Sequence, residues 1–469
     1  MTLTLGDFER DALPTLMEFG RIPNISPAYE ANWLELGHMD RAAHLLLEWA
    51  RSRPLPGAEI ALHEREGRTP VLTVVVPSTD QAVEGTVVLY GHMDKQPPLG
   101  DWSEGLSPFE PVRRGDKVYA RGLADDGYSI FSSLLAIEAL QRRGGTHGRL
   151  VVFIEAGEES GSPDLEAWLD DLAPILGDVR LLICLDSGAL TYDRLWITNS
   201  LRGNTRLDVT VDVLERGQHS GSASGVVPSS FAVLRALLDR IEDSVTGDIK
   251  IAELVPAIPA SHVAAAAAVA AEFGDVAGDE QPIVAGLRLQ GEPGADRLLR
   301  RTWGTTLSVV GAAGMPDVSV AGNVLRASTT LALSFRTPPS VPADVAIDVL
   351  TKALTTDVPY NAKVTVTGDG ATGWVSPDLE PWLATAIEKA SRRAFGNPAG
   401  FAGEGGTIPF LATLGQRYPG VAFLATGVLG PNSNAHGIDE MLDLPMAVGV
   451  TNVVADVVEA YAAAKRSAS

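Results

Sequence analysis

Four runs of strand length in this chain are almost uninterrupted in Val, Ile and Leu: VLTVVVP from Val71, TVVLYG from Thr86, RLVVFIEAG from Arg149 and RLLICLD from Arg180. Such runs suit strands buried on both faces of an α/β sheet, where neither side meets water. Between the second and third, DGYSIFSSLLAIEALQRRGG from Asp126 places Ile130, Leu134, Ile137 and Leu140 at helical spacing and ends in two glycines, a helix stop. Ser162-Pro163-Asp164 reads as another helix start, with serine as N-cap and proline at the first helical position. Alternating strands and helices predict an α/β fold with a mixed, mainly parallel sheet and flanking helices.

After Gly203 the period changes. In TRLDVTVDVLE, Leu207, Val209, Val211 and Val213 alternate with Asp208, Thr210 and Asp212, as in a strand with one face in water. The alternation returns in STTLALSFR from Ser328 and KVTVTGD from Lys363, with helical patterns in SSFAVLRALLDRIED and VPADVAIDVLTKALTT. These predict a smaller α+β domain over residues 204–371. From Ser376 the helix–strand alternation resumes, so residues 1–203 and 372–469 are expected to form one discontinuous domain with the α+β unit inserted. The stretch from His262 to Arg301 fits neither pattern.

Composition narrows the classes. A chain of 469 residues is long for one core, so two domains are the prior. A formal net charge of −22 argues against nucleic acid and against an anionic membrane, since both are bound through Lys and Arg. The Ala-rich HVAAAAAVAAEF from His262 is taken as the nearest candidate for a membrane span and is too short for one. The N-terminal MTLTLGDFERDALP lacks the basic and apolar regions of a secretory signal, and the single cysteine, Cys184, has no internal partner. A cytoplasmic location is therefore expected.

The candidate chemistry sits where apolar runs end. His92 and Asp94 follow TVVLYG; residues two apart on a strand share a face, so Asp94 can reach the His92 imidazole and fix which nitrogen meets a metal. A capped turn is the alternative. Asp125 and Asp126 precede an apolar-periodic helix, where a carboxylate can cap the helix or bridge two cations. Glu158 and Glu159 close RLVVFIEAG: one can ligate a metal while its neighbour acts as general base, or both can lie in a solvated turn. Asp186 ends a buried strand and needs a partner. His436 in NSNAHGIDE completes an inventory sufficient for two hydrolytic metal ions.

In their order, YGHMDKQP, ARGLADDG, EAGEESGS, CLDSG, RGQHSG, GEGGTIP and AHGIDE resemble the aminoacylase, carnosinase and carboxypeptidase G type of co-catalytic metallopeptidases over almost the whole chain. The resemblance implies a di-zinc exopeptidase fold with an inserted lid and dimerisation domain. It implies His92 and Asp186 on one metal, Glu159 and His436 on the other, Asp125 bridging, Glu158 as general base toward a metal-activated water, and Asp94 orienting His92. It also implies a cis Asp125–Asp126 bond and an oxyanion role for His219 from the partner subunit of a homodimer. Arg336, ending the strand LALSFR, is a candidate for clamping a substrate carboxylate or else an exposed strand-end arginine; Asn323, Gly405, Gly406 and Thr407 are further candidates for carboxylate binding. A lysine common after the paired aspartates is replaced here by Gly127 and Tyr128, and a basic residue before the Gly-Gly pair by Gly403 and Glu404. The expected function is metal-dependent hydrolysis of an amide bond beside a free carboxylate in a small peptide. The alternatives are an N-acyl-amino-acid amidohydrolase and a non-catalytic binding homologue. Two divalent ions are expected, zinc first, with manganese or cobalt as the other choices.

Overall fold

A computed structural model describes residues 2–466, and the chain divides into two compact units. One takes the chain up to Asn199 together with Ser376–Ala402 and the chain from Ile408 onward; the other is Ser200–Val375 with Gly403–Thr407. The first is mixed α/β, as the near-continuous apolar runs predict. Its main sheet holds β1 (Glu59–His63), β2 (Val71–Val76), β3 (Thr86–His92), β4 (Arg149–Glu155) and β5 (Val179–Cys184), in the order β1-β2-β4-β3-β5, and closes on Ala422–Ala425. The contacts of β3 with β4, of β3 with β5 and of β5 with Ala422–Ala425 are parallel; β1 and β2 form an antiparallel edge. Every residue of β3 is buried.

The helix after the paired aspartates, Tyr128–Arg142, is buried at every residue from Tyr128 to Leu140, and several of its polar side chains make internal hydrogen bonds. One of these joins it to the final helix, Leu444–Ala464, where Thr451 Oγ1 donates to Ser132 Oγ at 3.0 Å. Two sequence expectations need correction in this unit. That final helix, and not the Ala-rich stretch, is the described helix long and apolar enough to cross a membrane; it is largely buried within the protein. Ser162 does not cap a helix. It has φ +53°, its hydroxyl donates to Glu155 Oε1 at 3.0 Å, and the helix Leu165–Asp171 begins after Asp164.

The second unit is a four-stranded antiparallel sheet of β6 (Gly203–Asp212), β7 (Thr306–Ala313), β8 (Ser328–Thr337) and β9 (Lys363–Ala371), in the order β7-β8-β6-β9. Burial alternates along β6 and β8, and the inward set Leu207, Val209, Val211, Leu331, Leu333 and Phe335 packs on the helices Ser230–Leu238 and Ala343–Thr355. β7 had no legible period because it is an edge strand with a bulge between Val309 and Gly311, and both Val309 and Val310 face solvent. The segment that fitted neither pattern folds as the helices Ala260–Phe273, Val276–Asp279 and Ala295–Trp303.

Leu333 is fully buried on the helix-covered face, whereas Val310 is 57% exposed. Leu333→Ala is expected to cost about 2–5 kcal/mol and Val310→Ala less than about 0.5 kcal/mol, read from the denaturant midpoints of the two variants. Equal shifts would show that the core of this unit lies elsewhere.

Candidate metal centre

Parallel pairing brings the ends of three strands to one edge of the sheet. His92 is the last residue of β3 and pairs with Glu155 at the end of β4, while Tyr90 pairs with Cys184 at the end of β5. The chain beyond β4 turns at once into a short 3-10 helix, Glu158–Ser160, and the chain beyond β5 reaches Asp186. Asp125 and Asp126 come from the tight turn Leu123–Gly127 that leads into Tyr128–Arg142, and the bond between them is cis. The close approach of this turn to β3 requires a glycine: a Cβ on Gly91 would stand 2.0 Å from Ser129 Oγ and 2.5 Å from Asp126 Oδ2.

The side chains converge. His92 Nε2 lies 3.3 Å from Asp125 Oδ1 and 3.7 Å from Asp186 Oδ1. On the other side of the same carboxylate, His436 Nε2 lies 3.0 Å from Asp125 Oδ2 and 3.2 Å from Glu159 Oε2. Donor atoms held about 2.0–2.2 Å from one tetrahedral ion stand roughly 3–4 Å apart, so these spacings suit a shared cation. His92, Asp126 and Asp186 form one group whose ligand atoms all fall within 4.8 Å of one another, and His92, Asp125 and Glu159 form another. His92, Asp125, Asp126, Glu159 and Asp186 are buried, Glu158 is half-buried and His436 is exposed. Neither aspartate caps the following helix, and Glu159 is not in a solvated turn.

Asp94 organises two of these elements. Its backbone oxygen lies 3.1 Å from His92 Nδ1, an acceptor that places the proton on Nδ1 and leaves the Nε2 lone pair facing Asp125 and Asp186. Its carboxylate accepts from the backbone N–H groups of Glu158, at 3.1 Å, and Glu159, at 3.0 Å, and from Ser26 Oγ at 2.6 Å.

Several supports had no signal of their own in the sequence. Gln96 Nε2 donates to Glu159 Oε2 at 2.7 Å. Asp126 Oδ2 accepts from His92 N at 3.2 Å, while its Oδ1 is buried without a hydrogen-bond partner. Glu440 accepts from the turn that carries Asp125 and pairs with Arg121. Gln96 and Glu440 lie inside the motifs quoted above, but only their neighbours in space show what they hold.

The electrostatics mark a site built for positive charge. Burial first, then the neighbouring Asp186, pushes the carboxyls of Asp126 and Glu158 well above the usual range. Burial raises Asp186 to about 7 against the opposing pull of His92, and burial followed by the Asp125 charge raises Glu159. Carboxylates that resist ionisation beside two imidazoles, one with an orphaned buried oxygen, are a donor set that fits divalent cations of the oxygen- and nitrogen-preferring kind.

The remaining candidates lie in the second unit. His219 is exposed; its Nδ1 accepts from Gly221 N at 3.1 Å, and the pair Gln218–His219 forms a short ladder with Val324–Leu325 beside Asn323, whose carbonyl accepts from Ser220 N. Arg336 ends β8 and donates from Nη1 to Thr407 Oγ1 at 3.1 Å; Thr407 in turn donates to the Arg202 carbonyl at 2.6 Å. Arg202 was not singled out from the sequence. It is buried, lies against Gly405, and is pushed down to about 9 by burial and by the charges of Arg336 and Arg301. Gly406 has open space where a side chain would be. The structure thus brings Arg336 together with Thr407, and His219 with Asn323.

Residues 88–460 match the peptidase family M20/M25/M40. The chain is 28% identical over 369 residues to a cysteinylglycine-S-conjugate dipeptidase of Corynebacterium striatum, covering 76% of this chain and 77% of that protein. It is 26% identical over 404 residues to a Cys-Gly metallodipeptidase of Schizosaccharomyces pombe, covering 82% of each. Among solved structures, human carnosine dipeptidase 1 superposes with a TM-score of 0.77 at 22% identity, covering 98% of this chain and 97% of that one. An M20 family metallo-carboxypeptidase of Sulfolobus solfataricus superposes at 0.78 and 19% identity, covering 96% and 99%. The match spans most of the chain and includes every residue of the candidate centre, so this protein belongs to peptidase family M20/M25/M40 and is a metal-dependent hydrolase.

Proposed function

We propose that the chain is a dipeptidase that uses two divalent cations, zinc in the first place, to hydrolyse the amide bond beside a free carboxylate. The observation that carries this reading is the position of Asp125, whose two oxygens face His92 on one side and His436 on the other. His92 and Asp186 would hold one cation and Glu159 and His436 the other, with Asp125 shared between them. The buried and partnerless Oδ1 of Asp126 adds donor capacity beside His92 and Asp186. Two such ions, when bound, polarise the scissile carbonyl and lower the pKa of water toward about 7.

The chain's own residues do the rest. Glu158, whose carboxyl is raised by burial and by Asp186, accepts a proton from the attacking water and passes it to the leaving amine as the C–O bond forms and the C–N bond breaks. Its backbone is anchored on Asp94, which keeps the base in place as the proton moves. Arg336, steadied by Thr407, takes the substrate carboxylate, with Asn323, Gly405 and Gly406 as further donors. His219 stabilises the oxyanion from the partner subunit of a homodimer. The dipeptidase names of the relatives favour a dipeptide substrate over an acylated amino acid.

A dipeptide with a free amine is expected to be cleaved at least 10-fold faster than its N-acetylated counterpart, by kcat/KM on the zinc-loaded protein. The reverse ratio would make the chain an N-acyl-amino-acid amidohydrolase.

Glu158→Ala is expected to lower kcat by about 10²–10⁴ with cation content unchanged, since the base is not a ligand. Asp125→Ala should lose both cations together in elemental analysis; loss of one alone would remove Asp125 from the shared position.

His219→Ala is expected to cost about 10²–10³ in kcat. Mixing it with Glu158→Ala subunits should restore activity, because a mixed dimer has one site with both residues intact. No recovery after verified subunit exchange would place His219 in its own chain's site or outside catalysis.

A further inference from the structure

The Arg121–Glu440 pair has no part in the chemistry just described, yet it is among the most buried ion pairs of the chain: Glu440 is 0% and Arg121 1% exposed. One oxygen of Glu440 accepts from three backbone N–H groups of a single turn, Gly122 N at 2.9 Å, Ala124 N at 3.3 Å and Asp125 N at 3.4 Å. The other accepts from Arg121 Nη1 at 2.7 Å, and the second arm of the same guanidinium donates from Nη2 to the Gly437 carbonyl. The pair therefore touches the backbone of Asp125 and the residue next to His436, and links two segments distant in the chain.

The His436 segment needs such a hold. Asn432, Asn434, His436 and Asp439 all have positive φ, between +52° and +63°, a left-handed backbone that non-glycine residues adopt at a cost and keep only when the surroundings impose it. Little packing does so, because Asn432, Asn434, His436 and Ile438 are exposed. Ties to the rest of the unit gather after His436: Arg121 on Gly437, Ser103 on the Asp439 carboxylate, Ala120 N on the Glu440 carbonyl, and the pairing of Met441 with Tyr119. Stability is a poor reason to bury an ion pair, since desolvation offsets most of the attraction. Lys95, the buried amine near Glu440, does not share the task; it donates to the Phe19 and Ile22 carbonyls, both at 2.9 Å.

We propose that Arg121 and Glu440 are positioning residues, a brace that fixes the Asp125 turn and the His436 loop at the spacing a shared cation requires. The inference rests on the two-cation reading above. The brace sets the reach between Asp125 Oδ2 and His436 Nε2, now 3.0 Å, and without it the exposed loop is free to relax out of its left-handed conformation.

The test uses zinc binding to the full chain, measured by competition with a chromophoric chelator, on Glu440→Gln, Arg121→Lys and the neutral pair Arg121→Met/Glu440→Gln. The wild-type chain is expected to take two zinc ions, and each variant to hold the weaker one 10- to 100-fold less tightly. Arg121→Lys keeps the charge opposite Glu440 but loses the forked reach to Gly437, so it isolates the loop and serves if Glu440→Gln fails to fold. In the double variant the unfolding midpoint should recover toward wild type while zinc affinity stays low. Wild-type zinc affinity in the double variant would overturn the brace and leave simple charge balance; wild-type affinity in Arg121→Lys would overturn the role of the Gly437 contact. A wild-type chain that binds fewer than two zinc ions would instead overturn the two-cation reading, and the unmutated protein alone reports it.

Discussion

Carboxylates gathered in an apolar interior repel one another and lose their hydration, so they can share a place only with positive charge between them. This chain sets Asp125, Asp126, Glu159 and Asp186 in such a place, with Glu158 at its border. The two imidazoles that meet them approach from opposite sides of Asp125. Most of the first unit's geometry serves that arrangement. Parallel pairing aligns the strand ends, Gly91 lets the aspartate turn lie against β3, and Asp94 joins His92 to the chain that carries both glutamates.

How much of this could be read from the sequence depends on the range of the interaction that fixes it. The four apolar runs declared their strands because near-complete burial leaves few polar positions, and β6 and β8 declared theirs because half-burial leaves a strict alternation. β7 stayed silent, since an edge strand with a bulge and valines in solvent carries neither signature. The helix Tyr128–Arg142 declared itself by its spacing, but its full burial carried no local signal. Its Ser132 and Ser133 are buried, the first bonded to Thr451 on the final helix.

The same division runs through the site. His92, Glu159 and Asp186 stand at or just past the ends of apolar strands and Asp125 just before an apolar helix, and that place alone raises the question of what each one pairs with. Gln96, Glu440 and Arg202 act across long separations, on Glu159, on the Asp125 turn and on the Gly405 loop respectively, and no local pattern reports such a contact. His436 is the mixed case. Its motif named it, while the run of left-handed residues around it was invisible, because asparagine and aspartate tolerate that conformation without requiring it.

The second unit begins and ends on paired neighbours: Leu201 lies opposite Trp374 and Ser200 opposite Val375 in one antiparallel ladder. That bears on how the chain can fold. The main sheet of the first unit is closed by Ala422–Ala425 against β5, a contact across a very long stretch of chain, and bringing such distant segments together costs more entropy the longer the free loop between them. Once the inserted segment has folded and joined Leu201 to Trp374, the loop that remains to be closed is shorter by the whole insertion. The insertion thereby acts as a clasp that shortens the loop behind one of the most remote contacts of the main sheet.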